Sequence, residues 1–203
     1  MGTSGGNEAR VIDLSAGRGP IEDVPPNVVV AAMRGDHRAF GRLVELYDDR
    51  LRALAYHLLG SREAMDDALQ ETYLSAYRGL PQFRGEASVG AWLYRIAYNA
   101  CLQRLRRRER LEPTDQEQLE ARATPAPDFA DDVALRDELH HALCALAPEQ
   151  CAAILLVHRD GFSYAAVAEI LDVPIGTVAS RVAAGRAALG RALGGRRSAK
   201  EVR

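Results

Sequence analysis

The sequence predicts an all-α protein of two small helical domains joined by an acidic, flexible linker. Apolar residues recur every three or four positions through residues 28–110 and again through 133–195, and no stretch alternates with the period of a strand. Between them, residues 111–132 lose this pattern and contain three prolines and seven acidic residues against one arginine. Twenty such residues, if extended, reach about 65 Å.

The first predicted domain, residues 28–110, shows the start and stop residues of several helices. Gly60 suits the C-terminus of one helix, because glycine adopts the left-handed conformation that ends many helices. Ser61 and Ser88 are candidate N-caps of two later helices, since a serine hydroxyl can accept a hydrogen bond from a free backbone N–H. Pro81 is predicted to close the helix that Ser61 begins.

The last helix of this domain, within residues 91–110, has two different sides. It carries the only tryptophan of the chain and six of its arginines. On an ideal helix one stripe contains an aromatic ring, amides and guanidiniums, from Trp92, Arg95, Asn99, Gln103, Arg106 and Arg110. The opposite side contains Leu93, Tyr94, Ala97, Cys101 and Leu105. The apolar side is expected in a core, and the stripe is expected to meet a partner outside the domain.

The second predicted domain, residues 133–195, ends in a candidate helix-turn-helix. Ala168 is small enough to let two helices cross closely, and Pro174 suits the first turn of the second helix. The apolar side of that helix contains Val178, Val182, Leu189 and Leu193. Its polar side contains Thr177, Ser180, Arg181, Ala184 and Arg191. Short polar groups followed by arginine suit a major groove, which favours DNA binding over a plain helical hairpin.

Charge and termini narrow the class of protein further. The two helical blocks are mildly basic, with fourteen arginines against ten acidic residues in the first, and residues 196–203 form a basic tail. Residues 1–27 are predicted to be a disordered leader instead of a signal peptide. No apolar run approaches the roughly 18 residues of a membrane span. We therefore expect a cytoplasmic protein without membrane insertion.

The cysteines predict neither disulfides nor a metal centre. Cys101, Cys144 and Cys151 are odd in number and form no CxxC pair, which favours buried thiols in a reducing compartment. His140 and Cys144 lie one helical turn apart, the spacing of a possible metal pair. Because no second pair with ligand spacing accompanies them, no metal and no cofactor is predicted.

Three stretches in this order resemble the sigma factors of bacterial RNA polymerase, of the small extracytoplasmic-function (ECF) type. They are "DDALQETYLSAY", "FRGEASVGAWLYRIAYNACLQRLRRR" and "GFSYAAVAEILDVPIGTVASRV", and the likeness covers about residues 28–195. It implies that the first domain is region 2, which binds the beta-prime clamp of core polymerase and opens the −10 element. The second domain would be region 4, a partner of the beta flap that reads the −35 element. Promoter DNA, double- and single-stranded, and an anti-sigma factor are then further implied partners.

The same resemblance implies roles for individual residues. The polymerase-binding helix would present Asp67, Gln70, Glu71 and Thr72. The loop that receives a flipped base would contain Phe83, Arg84 and Gly85. The resemblance places Trp92, Asn99 and Gln103 on the helix that faces the −10 element, and Arg95 and Arg106 of the same stripe are further −10 candidates. On the polar side of the predicted recognition helix, the candidate −35 contacts are Thr177, Ser180, Arg181 and Arg186. Relatives often carry basic residues at the positions where this chain has Ala179 and Ala184. We therefore expect this chain to bind the −35 element weakly.

Other interpretations remain open on the residues alone. Spacing by itself makes Asp67 and Glu71 a solvated helix face, and Trp92 could be a core aromatic ring whose N–H finds a partner. A repressor or activator that works without polymerase would explain the helix-turn-helix but not the 91–110 stripe. For an enzyme, the sequence offers no Ser/His/Asp order, phosphate-cradling glycine loop or paired metal motif.

Overall fold

The computed structural model describes residues 24–111 and 133–200, and within these ranges all regular structure is helical. The first domain contains α1 (Pro26–Met33), α2 (His37–Leu59), α3 (Arg62–Gly79) and α4 (Val89–Leu111). The second contains α5 (Val133–Cys144), α6 (Pro148–Ile154), α7 (Tyr164–Leu171) and α8 (Ile175–Lys200). The all-α prediction with two domains is confirmed. Most of the predicted leader and linker lies outside the described residues.

Short polar side chains and glycines set the helix ends of the first domain. The Asp36 carboxylate accepts hydrogen bonds from the backbone N–H groups of Arg38 and Ala39, at 2.8 and 3.1 Å, which begins α2. Gly60 ends α2 with a φ of 66°, and the Ser61 hydroxyl caps α3, as predicted. The Ser88 hydroxyl accepts from Ala91 N–H at 3.1 Å at the start of α4. The helix that Ser61 caps ends at Gly79, and a 3₁₀ turn spans Leu80–Gln82.

The core of the first domain lies between α2, α3 and α4. Leucines from each of the three helices are almost completely buried, among them Leu43, Leu51, Leu54, Leu69 and Leu93. The side of α4 predicted to be apolar is buried as a whole, including Tyr94, Ala97, Cys101 and Leu105. Because the buried residues recur at helical spacing, α4 has a fixed rotation, and its polar stripe must face outward.

Helix α6 of the second domain continues into a π-helical turn, Leu155–Arg159, before the chain reaches α7. The turn places Leu155 and Leu156 in the core and brings Arg159 and Asp160 to the first domain. The Arg159 guanidinium pairs with the Asp160 carboxylate, whose side chain is 1% exposed, at 2.6 Å. It also donates a hydrogen bond to the backbone carbonyl of Arg50 in α2, at 3.1 Å. The two domains are thus packed together.

None of the helices in the described ranges is long and apolar enough to cross a membrane.

Candidate nucleic-acid and polymerase interfaces

The exposed face of α3 carries three of the four residues assigned to polymerase binding. Asp67, Gln70 and Glu71 are all exposed. The Arg104 guanidinium from α4 lies 3.0 Å from the Asp67 carboxylate and 3.8 Å from that of Glu71. Both carboxylates are exposed, whereas Arg104 is half-buried and its Nε atom is inaccessible, so the carboxylates are the solvent-facing part of this cluster.

Thr72 lies apart from that face. Its side chain is 1% exposed, and its hydroxyl donates a hydrogen bond to the backbone carbonyl of Ala68 at 2.7 Å. Consecutive residues of a helix point about 100° apart, so Thr72 turns into the core while Glu71 faces solvent. Thr72 is therefore a packing residue in this structure and offers no accessible group to a partner.

Trp92 forms a half-buried aromatic pair with Phe83 beside the loop that precedes α4. The two ring centroids are 5.3 Å apart and the planes are inclined by 49°. Gly79, at the end of α3, leaves room for the indole, since a Cβ there would lie 3.2 Å from Trp92 Cζ2. In the same loop Arg84 and Gly85 are exposed, and Gly85 has a φ of 71°, which favours glycine. The indole is therefore packed against Phe83 and Gly79 and remains partly exposed.

Four polar side chains continue along α4 from this aromatic pair, all of them exposed: Arg95, Asn99, Gln103 and Arg106. The opposite side of α4 is buried, and burial there raises the pKa of the Cys101 thiol to about 12. The structure therefore brings the predicted −10 residues together as one surface. It combines an aromatic ring, amides and guanidiniums, which is the chemistry that binds unpaired bases and phosphates.

The second domain presents the predicted helix-turn-helix as α7 and α8. Val167 and Val178 are completely buried where the two helices cross, and Asp172 makes the turn with a φ of 53°. On α8 Ser180 and Arg186 are exposed, and the Ser180 hydroxyl donates to the Thr177 carbonyl at 2.9 Å. Two alanines noted as departures, Ala179 and Ala184, are exposed as well.

Arg181, another −35 candidate, is half-buried. Its Nη1 atom has no accessible surface and no hydrogen-bond partner among the described residues. Burial and the Glu149 carboxylate raise the pKa of Tyr98 to about 12, and the Arg181 charge acts in the opposite direction. The Nη1 atom of Arg181 is therefore not accessible to DNA in this packing.

Sequence reasoning missed the contacts between distant segments. It did not predict the Arg104 pairs with Asp67 and Glu71, nor the Arg159 contact with the first domain. The residue types gave no sign of either contact, because exposed arginines and acids are common and their partners depend on how helices pack.

Comparison with known proteins identifies both domains. The family model for Sigma-70 region 2 matches residues 43–111, and that for Sigma-70 region 4 matches residues 136–189. The ECF RNA polymerase sigma factor SigM of Mycobacterium tuberculosis is 40% identical over 82% of this chain and 83% of its own length. The RNA polymerase sigma-H factor of Pseudomonas aeruginosa is 32% identical over 82% and 92% of the two chains.

Solved structures agree with these sequence relatives. The sigma factor RpoE from Bartonella quintana, in complex with the anti-sigma factor NepR, has a TM-score of 0.62 and 28% identity over 76% of this chain and 96% of that chain. CnrH, in complex with the cytosolic domain of CnrY, has a TM-score of 0.63 and 25% identity over 83% and 96%. The chain therefore belongs to the ECF family of RNA polymerase sigma factors, the promoter-specific initiation factors of transcription.

Proposed function

We propose that each of the described surfaces performs one of the binding functions of a sigma factor. The exposed carboxylates of α3 bind the beta-prime clamp of core polymerase. The Phe83 loop and the α4 stripe hold the opened −10 element, and α8 reads the −35 element while the second domain contacts the beta flap. The protein acts through binding and catalyses no reaction itself, and it works in the cytoplasm, where polymerase meets DNA.

The observation that carries this proposal is the continuous surface from Phe83 through Trp92 to Arg106. A duplex buries the faces of its bases, so an indole can stack on a base only after the strands have separated. Such stacking contributes about 1–3 kcal/mol per base, comparable with the cost of flipping one base out of the helix. Because the contact exists only in the opened state, it shifts the equilibrium toward opening. Arg95 and Arg106 neutralise the backbone beside it.

The α3 carboxylates suit a basic partner. Asp67 and Glu71 already attract the guanidinium of Arg104, and the exposed pairs cost little to exchange for a partner's cations. Gln70 adds an amide that can donate and accept on the same face. An anti-sigma factor is a further partner, since the RpoE relative is found in complex with one.

The experiment is promoter opening by holoenzyme reconstituted with wild type or Trp92→Ala. The variant is expected to bind core polymerase normally but to leave thymines of the −10 region unreactive to permanganate on duplex DNA. A template with a pre-melted −10 bubble should restore most of the activity. Normal opening of linear duplex by Trp92→Ala would contradict the stacking role. Failure of both wild type and Trp92→Ala to direct polymerase to any promoter would contradict the roles proposed for these surfaces.

A further inference from the structure

Three side chains that bind transition metals meet where the two domains pack together. His57 lies in the last turn of α2, whereas His140 and Cys144 lie one turn apart on α5. One nitrogen of each imidazole and the Cys144 sulfur lie within 4.8 Å of one another. Sequence spacing revealed the pair on α5 but not the third residue, which is 83 positions away from His140.

Two separations among these atoms are close to those of a tetrahedral metal site. The two Nδ1 atoms of His57 and His140 are 3.1 Å apart, and the Cys144 sulfur lies 3.8 Å from His140 Nδ1. With zinc–nitrogen and zinc–sulfur bonds of about 2.05 and 2.3 Å, the ligand atoms of a tetrahedron are separated by about 3.3 Å (N to N) and 3.6 Å (N to S). These two distances differ from the tetrahedral values by a few tenths of an ångström. The Cys144 sulfur also lies 3.6 Å from His140 Nε2, so the imidazole of His140 or the thiol must turn before Nδ1 and the sulfur can bind one ion.

The donor set selects the ion. Two imidazoles and one thiolate are ligands of zinc, and hard cations such as Mg²⁺ prefer oxygen. His140 is buried, while His57 and Cys144 are partly exposed, so an ion can enter and a water can complete the fourth position. In the metal-free chain the short Nδ1 to Nδ1 distance is a hydrogen bond from one neutral imidazole to the other. To bind zinc through both Nδ1 atoms, the donor imidazole would carry its proton on Nε2 instead, so both rings stay neutral, and the thiol proton would be released into solvent.

We propose that His57, His140 and Cys144 bind Zn²⁺ and that the ion holds the two domains in their packed arrangement. Because the ligands come from both domains, the ion cross-links them. In that arrangement the Nη1 atom of Arg181 has no accessible surface, so the ion would keep this group from DNA. Zinc would therefore oppose promoter binding, an effect that rests on the function proposed above, whereas metal binding itself does not depend on it.

The binding test uses Co²⁺ as a coloured substitute for Zn²⁺ in titrations of the full chain. Wild type is expected to bind one Co²⁺ with tetrahedral visible bands and a thiolate-to-cobalt band, both bleached by Zn²⁺. Cys144→Ser should lose the thiolate band, and His57→Gln should weaken binding by more than the roughly 10- to 100-fold typical of losing an outer partner. His141→Gln removes an exposed imidazole on the same helix and should bind as wild type does. A wild-type Co²⁺ spectrum that lacks the thiolate band, or that is identical to the spectrum of Cys144→Ser, would overturn the proposed site. The cluster would then be only a hydrogen-bonded pair of neutral imidazoles beside a thiol.

A second measurement does not depend on how well the variants fold. Alkylation of wild type followed by mass spectrometry should modify Cys144 in the metal-free chain, and Zn²⁺ should protect it. Cys101 and Cys151 are buried and should stay unmodified in both states, which makes them internal controls. Equal modification of Cys144 with and without Zn²⁺ would contradict the site.

The regulatory effect is tested with holoenzyme on promoter DNA. Zn²⁺ should reduce the promoter-bound fraction for wild type and His141→Gln but not for Cys144→Ser. The zinc sites of polymerase itself are the same in all three reactions, so they cannot produce this difference. A bound metal that leaves promoter binding unchanged would overturn the regulatory part. A chain that binds Co²⁺ but never directs transcription would contradict the proposed function instead.

Discussion

Arg104 on α4 lies 3.0 Å from the carboxylate of Asp67 on α3, so the candidate polymerase face and the candidate −10 helix share an ion pair. A second ion pair lies one residue earlier on α3, where the Asp66 carboxylate is 2.8 Å from the guanidinium of Arg52 on α2. Asp66 and Asp67 are 54% and 55% exposed, yet they point about 100° apart around the helix. Substitutions of Asp66 and Asp67 therefore compare the loss of a carboxylate on one face of α3 with the same loss on another face.

Reversing the charge of Asp67 and Glu71 together to lysine should weaken binding to core polymerase. Exposed ion pairs contribute about 0–1 kcal/mol each, so the domain should stay folded, and the loss should appear in competition against another sigma factor. Asp66→Lys breaks a pair whose aspartate is as exposed as Asp67 and should compete as wild type does. Unchanged competition by the double variant would remove α3 from the polymerase interface.

Phe83→Ala should expose the indole of Trp92. The two rings are in contact, and aromatic pairs contribute about 0.5–1.5 kcal/mol beyond the area they bury. Because Trp92 is the only tryptophan, its fluorescence emission should shift to longer wavelength, and promoter opening should slow. Phe83→Tyr keeps the ring and is the control. An unshifted emission spectrum for Phe83→Ala would show that the pair does not position the indole.

Ala184→Arg should tighten promoter binding and steepen its dependence on salt. The position is exposed on α8, and each added phosphate contact raises the salt slope by about 0.9. Ala145→Arg adds the same charge at an exposed position outside the helix-turn-helix and should leave the slope unchanged. Arg181→Ala should weaken binding and relax sequence preference. The same slope for Ala184→Arg as for wild type would mean that this position does not face the duplex.

Gly90→Ala should destabilise the first domain. A Cβ at Gly90 would lie 2.7 Å from the hydroxyl oxygen of Tyr47 and 2.9 Å from its Cε1, and Tyr47 is 2% exposed. Overpacking of this kind costs about 1–3 kcal/mol. Gly41→Ala meets nothing within 4 Å and should instead stabilise α2 by roughly 0.5–1 kcal/mol. Urea unfolding monitored by circular dichroism measures both, and equal midpoints would contradict the packing around Tyr47.

The local features of this fold could be predicted from sequence because each depends on neighbouring residues. The caps at Ser61 and Ser88, the stop at Gly60 and the two sides of α4 follow from hydrogen bonding and helical period. The buried side of the helix-turn-helix was predicted in the same way. Thr72 shows where a family pattern and helical geometry differ, since the likeness assigns it to an interface and its rotation buries it.

Contacts between distant segments could not be predicted. The Arg159 bond to the Arg50 carbonyl and the approach of His57 to α5 both form where the two domains pack together. Each depends on a register between helices that no local spacing encodes. The roles of the exposed residues in polymerase and DNA binding remain predictions, because residue type and exposure define a surface but not its partner.

Run-off transcription with purified core polymerase on genomic fragments determines whether this chain directs initiation at promoters. We expect discrete transcripts that require this chain, with start sites that share one −10 and one −35 element at constant spacing. Trp92→Ala should lose transcripts from linear duplex but retain them from a pre-melted −10 bubble. Transcripts that are absent, or identical with and without the chain, would contradict its assignment as a promoter-specific initiation factor.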